Sequence, residues 1–200
     1  MSAPVYVALL HYPMTNRMNE TVTTAVTNMD LHDISRTCRT YEVRRYFVLT
    51  PLEPQHVVVG RILKHWSSEQ SATYHPDRFS ALSRIQMVRT FDEIRAQILS
   101  DTGEQPEVVL TDAREVDKIS RLRVSYEDYA RELAGRDRTK PCLIVFGTGW
   151  GISEAFYSEV NRVLPPVYGP LGPEGYNHLS VRSAVAIILD RLFQYRVSPL

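Results

Sequence analysis

Cys142-Leu143-Ile144-Val145-Phe146-Gly147-Thr148-Gly149-Trp150-Gly151 passes from an unbroken apolar run directly into three alternating glycines. An apolar run of this length fits a strand buried on both faces, as a parallel sheet holds it between two layers of helices. Glycines directly after such a strand let a ligand lie against the backbone and leave main-chain N–H and C=O groups free to bond it. The same cluster also suits a plain strand-to-helix turn. A dinucleotide loop would read GxGxxG, with an acidic residue on a following strand; this stretch reads GxGxG and lies late in the chain, which gives a nicotinamide-dependent oxidoreductase little support.

Working outward, the chain alternates strand and helix. Residues 5–12, 45–50, 85–88 and 107–111 read as strands, the second of them ended by Pro51. Between them, Leu31, Ile34 and Cys38 recur at helical spacing over 30–40, as do Val57, Val58, Ile62 and Trp66 over 54–67. Thr90 with Glu93 forms a capping-box pattern, and Ser125 with Asp128 can cap a helix that runs through Leu133. Four or five such units predict an α/β fold, a parallel sheet flanked by helices, in a single domain covering residues 1–200.

The last helix is the clearest element. Val181, Ala184, Val185, Ile188, Leu189, Leu192 and Phe193 form an apolar stripe wide enough for a subunit interface as well as the core, opposite Arg182, Asp190, Arg191 and Arg196. Before it, residues 165–176 hold four prolines and three glycines, an irregular loop on rigid elements where sites concentrate.

Bulk composition narrows the function classes. The chain has 200 residues, 44% hydrophobic and 23% charged, with 23 basic and 23 acidic side chains. This fits an ordinary globular protein and excludes one whose whole surface is a basic footprint for nucleic acid, leaving room only for local patches. The two cysteines, Cys38 and Cys142, have no CxxC spacing, so neither a disulfide framework nor a metal site is expected. The N-terminal apolar run lacks a basic lead and a cleavage site, and no later stretch approaches the ~18 residues of a membrane span. A reducing cytoplasm is the expected compartment.

Two polar segments carry further chemistry. Tyr176-Asn177-His178-Leu179-Ser180-Val181-Arg182-Ser183 opens the last helix. Asn177, His178 or Ser180 could cap it, and a polar cluster at a helix N-terminus can also receive a carboxylate or phosphate. Thr27-Asn28-Met29-Asp30-Leu31-His32-Asp33-Ile34-Ser35-Arg36-Thr37-Cys38-Arg39-Thr40 reads equally as an amphipathic helix with a solvated face. Against the plainer reading stands the density of Asn28, Asp30, His32, Asp33 and Arg36 beside an early strand.

In order, these segments resemble the three motifs of the SPOUT methyltransferases, especially the tRNA ribose methyltransferases of the SpoU kind. Asp30 stands where the first motif has Asn, and Arg36 fits the Arg six residues on. Val145-Phe146-Gly147-Thr148-Gly149 resembles the second motif and His178-Leu179-Ser180-Val181 the Asn-x-Ser-Val start of the third. The chain is closer still, over nearly its whole length, to a bacterial branch carrying the strings FGTGWG and YNHLSVRSA. Gly149 replaces the usual second-motif glutamate, and His178 takes the usual Asn position unless Asn177 shifts into it.

The resemblance implies a C-terminal trefoil knot, a homodimer with a site shared between subunits, and S-adenosylmethionine as cofactor, leaving as S-adenosylhomocysteine. It places the donor on Phe146, Gly147, Thr148, Gly149, Trp150 and Gly151, with Gly169, Pro170, Leu171, Gly172, Asn177, His178, Leu179 and Ser180 closing around it. Arg36 is the implied catalytic residue; as an arginine keeps its proton, a phosphate clamp suits it better than a base. For a ribose 2′-hydroxyl acceptor the bases to weigh are His32, His178 and Asp33; for guanine N1 they are Asp30 and Asp33. A non-catalytic module binding donor and RNA is a further alternative, permitted by Asp30 and Gly149. The expected partner is RNA, tRNA above all, held on Arg36, Arg39, Arg44 and Arg45, with Lys118, Arg121 and Arg123 as a second patch.

Overall fold

A computed structural model describes residues 3–67, 73–135 and 138–195, and a six-stranded sheet with every pairing parallel runs through it. β1 (Val5–Leu10) is followed by a small hairpin, β2 (Met14–Thr15) and β3 (Thr21–Val22). The sheet continues with β4 (Tyr46–Leu49), β5 (Ile85–Val88), β6 (Glu107–Leu110), β7 (Cys142–Phe146) and β8 (Arg162–Val163). Its order is β5-β4-β1-β7-β6-β8, so β7 is inserted between β1, the first strand, and β6, the strand just before it.

The reason β7 is apolar throughout follows from its position. Alternation sends Val5, Val7 and Leu9 of β1, with Ile144 and Phe146 of β7, to one face, and Tyr6, Ala8, Leu10, Leu143 and Val145 to the other; both faces are buried. The first face is covered by α1 (Asn28–Thr40), α2 (Glu53–Trp66), α3 (Pro76–Leu82), α5 (Tyr126–Ala134) and α6 (Val181–Phe193). The second is covered by α4 (Phe91–Thr102) and by 3₁₀ segments at Asp117–Leu122 and Glu154–Glu159. No helix among the described residues is long and apolar enough to cross a membrane. Both cysteines are buried thiols, and the Tyr129 hydroxyl donates to Cys142 Sγ at 3.2 Å.

Caps explain the helix starts. Thr27 Oγ1 accepts the Asp30 amide at 3.2 Å and opens α1 two residues before the expected start. Thr90 and Ser125 cap α4 and α5 as their sequences predict. The Glu93 carboxylate accepts from the Arg89 amide, one residue before the position a strict capping box would use. α6 sinks Val185, Ile188, Leu189 and Leu192 into the core and packs on α1 and α5, so part of its wide stripe is consumed within the chain. Its Arg182, expected on the solvated face, instead turns toward α1; Arg196 lies outside the described residues.

At the opposite end of the sheet from the glycine loop, Glu107 is a buried carboxylate. Burial pushes its pKa up, but hydrogen bonds from Arg138 and Tyr129 and the charges of Arg138 and Arg162 outweigh that and leave it below the ordinary glutamate value. This network ties α5 to the start of β6.

Candidate functional site

The carboxyl ends of β6 and β7, with the segment leading into α1, open onto a cleft of about 840 Å³, within the range of small-molecule sites. Its floor is the turn after β7. Gly149 and Gly151 have φ of +60° and +100°, which L side chains rarely adopt. A Cβ on Gly147 would stand 2.7 Å from Ile152 Cγ1, and one on Gly151 would stand 2.2 Å from Arg114 Nη2 and 2.9 Å from Asp112 Oδ2. The glycines are therefore required by the backbone path and by close neighbours.

The small hairpin clamps this turn. Thr15 donates to the Gly151 carbonyl from its amide, 2.9 Å, and its hydroxyl, 3.0 Å. Thr148 Oγ1 lies 3.1 Å from the Leu10 carbonyl and 2.5 Å from Thr24 Oγ1. Gln55 of α2 holds the segment beyond, accepting from the Val26 amide at 2.7 Å and donating to the Thr24 carbonyl at 3.3 Å. Phe146, Val167, Leu179 and Ile188 supply apolar wall, and Pro173 and Gly175 also line the cleft.

Two carboxylates line the cleft, and both are engaged. Asp30, 4% exposed, takes Arg182 Nη1 at 2.9 Å on one oxygen and the Thr27 hydroxyl at 2.6 Å on the other, while Arg182 Nε reaches Asp33 at 3.4 Å. Asp112 accepts the Arg114 amide at 2.9 Å and its Nε at 3.3 Å. Asn177 joins the two sides, donating to the Ala113 carbonyl at 2.6 Å. His178 lines the cleft, is exposed, and meets Tyr176 edge-on at 5.4 Å.

Beneath the loop, His11 is fully buried; Nδ1 lies 3.0 Å from Thr24 Oγ1, and Nε2 has no partner among the described residues. Burial pushes its pKa down to about 4, against a smaller upward pull from Asp30. A histidine held below its unfolded value contributes stability that is complete above pH 6.5 and is lost as pH falls through 4. The difference corresponds to about 3 kcal/mol. Urea unfolding midpoints should therefore drop over that window in the native protein and much less in His11→Gln; parallel pH profiles would show that His11 carries none of the effect.

The predicted site residues divide sharply. Asp30, Phe146 to Gly151 and Asn177, His178 and Leu179 come together in the cleft. Ser180 does not line it, because its Oγ caps α6 by accepting the Ser183 amide at 3.2 Å. The wall falls at Pro173 and Gly175, past Gly169, Pro170, Leu171 and Gly172. Arg36 faces a different groove with Arg39, and His32 turns toward Trp66, away from the cleft. Arg44 and Arg45 sit before β4, at the far end of the sheet, where Arg45 forms a close pair with Asp101 at 2.8 Å; the four arginines are not one patch. The second basic run is also partly neutralised, by Lys118–Glu154 at 2.5 Å and by an Arg123–Glu115 pair. Thr24, Asp112 and Arg114 were not singled out from the sequence, and Arg182 was placed on a solvated face, since nothing local marks them as site residues.

An open parallel α/β sheet with a glycine cradle beyond its strand ends defines a class of small-molecule-binding enzymes. Comparison with known proteins supplies the chemistry: residues 4–194 match the model of a family described as SAM-dependent RNA methyltransferase, and the chain belongs to that family. Among curated relatives, a protein of Aquifex aeolicus is 40% identical over 94% of this chain and 88% of its own length. A tRNA (guanine-N(1)-)-methyltransferase of Oleidesulfovibrio alaskensis is 36% identical over 94% of this chain, which spans only 41% of that longer relative. The fold is similar to that of a TrmH/SpoU tRNA modifying enzyme of A. aeolicus, which superposes with a TM-score of 0.52 at 16% identity, covering 98% of this chain and 78% of the other.

The cofactor is thus S-adenosylmethionine, and the cleft fits it. Glycines 147, 149 and 151 leave a cradle that Cβ atoms would fill, and apolar side chains offer a slot for an aromatic base.

Proposed function

We propose that the chain transfers the methyl group to a ribose 2′-hydroxyl of tRNA. The carrying observation is that both cleft carboxylates are tied to arginines, Asp30 to Arg182 and Asp112 to Arg114, so neither stands free to take a proton from guanine N1. Bound donor supplies an electrophilic methyl carbon on sulfur. The residues of the chain need only align the acceptor oxygen, accept or relay its proton and exclude competing water, and alignment of this kind can supply much of the acceleration. His178, at the mouth of the cleft, is the side chain best placed to receive the proton; Arg114 and Arg182 bring positive charge for the developing alkoxide or a flanking phosphate.

Arg36 enters from outside the cleft, and this reading gives it to the site of a second copy in a homodimer. The trefoil knot belongs to the same reading. It is supported by the insertion of β7 between β1 and β6 and by the return of α6 onto α1 and α5. Arg36→Ala should keep donor affinity while lowering turnover about a hundredfold, the scale of a misplaced acceptor. Mixing it with a chain unable to bind donor should restore activity if the site is shared; unchanged turnover in Arg36→Ala would remove Arg36 from the chemistry.

The name of the O. alaskensis relative favours guanine N1 as a second reading, although that name describes a protein more than twice as long. Labelled donor incubated with total RNA from cells lacking the protein, followed by nucleoside mass spectrometry, separates the two. A 2′-O-methylated nucleoside is expected; 1-methylguanosine as the labelled product would replace the first reading with the second.

A further inference from the structure

The second groove, about 600 Å³, lies between the later turns of α1 and the start of α3 and contains no part of the donor cleft. Arg36 and Arg39 form one side; Tyr74, His75 and Arg78 form the other. Trp66, at the end of α2, anchors the second side: the Arg78 guanidinium lies 4.7 Å over its ring, and His32, His65 and His75 surround it at 5.5, 5.4 and 6.1 Å. Tyr74 is 80% exposed, with its ring open to solvent. The acidic members are Glu42 and Asp77, and Glu42 is already shared between Arg39 at 2.5 Å and Arg84 at 3.3 Å.

Cations interleaved with accessible aromatic rings are what a flexible nucleic acid strand needs: phosphates go to the guanidinium groups, and bases stack on rings whatever their identity. A metal is not indicated, since no group of three suitable ligands occurs among the described residues. The chain as a whole carries no net charge, so a local site must hold its substrate. The groove also holds Arg36, which the proposed function gives to the site of a second copy, so a strand seated here would lie beside that site.

We propose that the α1–α3 groove holds a single-stranded segment of the RNA substrate, with a phosphate on Arg36 and Arg78 and a base stacked on Tyr74. This rests on the chain being an RNA methyltransferase and adds where the RNA lies. It replaces the larger patch expected from sequence, since it keeps Arg36 and Arg39, drops Arg44 and Arg45, and gains Tyr74 and Arg78.

The test measures binding of unfractionated tRNA to the intact protein between 50 and 200 mM salt, the range in which phosphate contacts are read. The variants are Tyr74→Ala with Arg78→Gln, and Arg44→Gln at the far end of the sheet as a control. Thermal melting and donor titration verify that each variant is folded. The groove variant should bind tRNA about tenfold more weakly, with a salt slope smaller by about one, and should bind donor normally; Arg44→Gln should match the native protein. Native-like tRNA affinity and slope in the groove variant would overturn the proposal while leaving the methyltransferase reading intact. Loss of tRNA binding accompanied by a fall in sedimenting mass would overturn it too, making the groove a contact between copies. If the native protein neither binds nor methylates tRNA, the reading of its substrate and the groove fall together.

Discussion

Gly151→Val is expected to reduce S-adenosylmethionine affinity at least about a hundredfold, equivalent to about 2.7 kcal/mol. Gly151 has φ of +100°, and a β-branched residue held there costs about 1–3 kcal/mol in strain. Its Cβ would also stand 2.2 Å from Arg114 Nη2 and 2.9 Å from Asp112 Oδ2, so the Arg114–Asp112 pair must move or the turn must open. Opening the turn withdraws the Gly151 carbonyl from the two Thr15 donors that clamp it. Gly169→Ala is the control, because its φ is ordinary and a Cβ there meets nothing within 4 Å. Calorimetric titration checks both; undiminished donor binding by folded Gly151→Val would place the donor elsewhere.

Arg182→Ala should be the costliest single change to the fold near the site, at about 3 kcal/mol. Breaking a buried ion pair by removing one partner leaves the other charge uncompensated, and Asp30 is 4% exposed with only the Thr27 hydroxyl remaining to it. For a chain of this size the melting temperature should fall by about 10 °C. Adding Asp30→Asn should recover much of the loss, because the amide is neutral and can still accept from Thr27. A double variant no more stable than Arg182→Ala would mean that the pair contributes through packing and not through charge. The same pair bears on the proposed chemistry, in which Asp30, held by Arg182, does not serve as the base.

How legible all this was in the sequence depended on whether a feature was local. The apolar β7 run, the glycines after it and the Ser180 cap are each readable from a few adjacent residues, and the structure keeps all three. Arg182 was assigned to a solvated face because helix periodicity cannot show a carboxylate 152 residues away. The Thr24–Thr148 contact spans 124 residues and is equally silent. β2, β3 and β8 have two residues each, too few to show an alternation. One correction was within reach: Asp30 and Arg36 are six residues apart on one helix, hence about 120° apart around its axis, and could not both face one cleft. The family resemblance brought them together as motif members; geometry separates them.

Hydrogen exchange of the intact protein with and without S-adenosylmethionine tests the placement of the donor most directly. Protection should appear in the turn through Gly147, Gly149 and Gly151, in the Thr24–Thr27 stretch and around Asn177 to Leu179, and not at Arg36 to Thr40. Donor-dependent protection confined to the α1–α3 groove, with the glycine turn exchanging as before, would contradict the account.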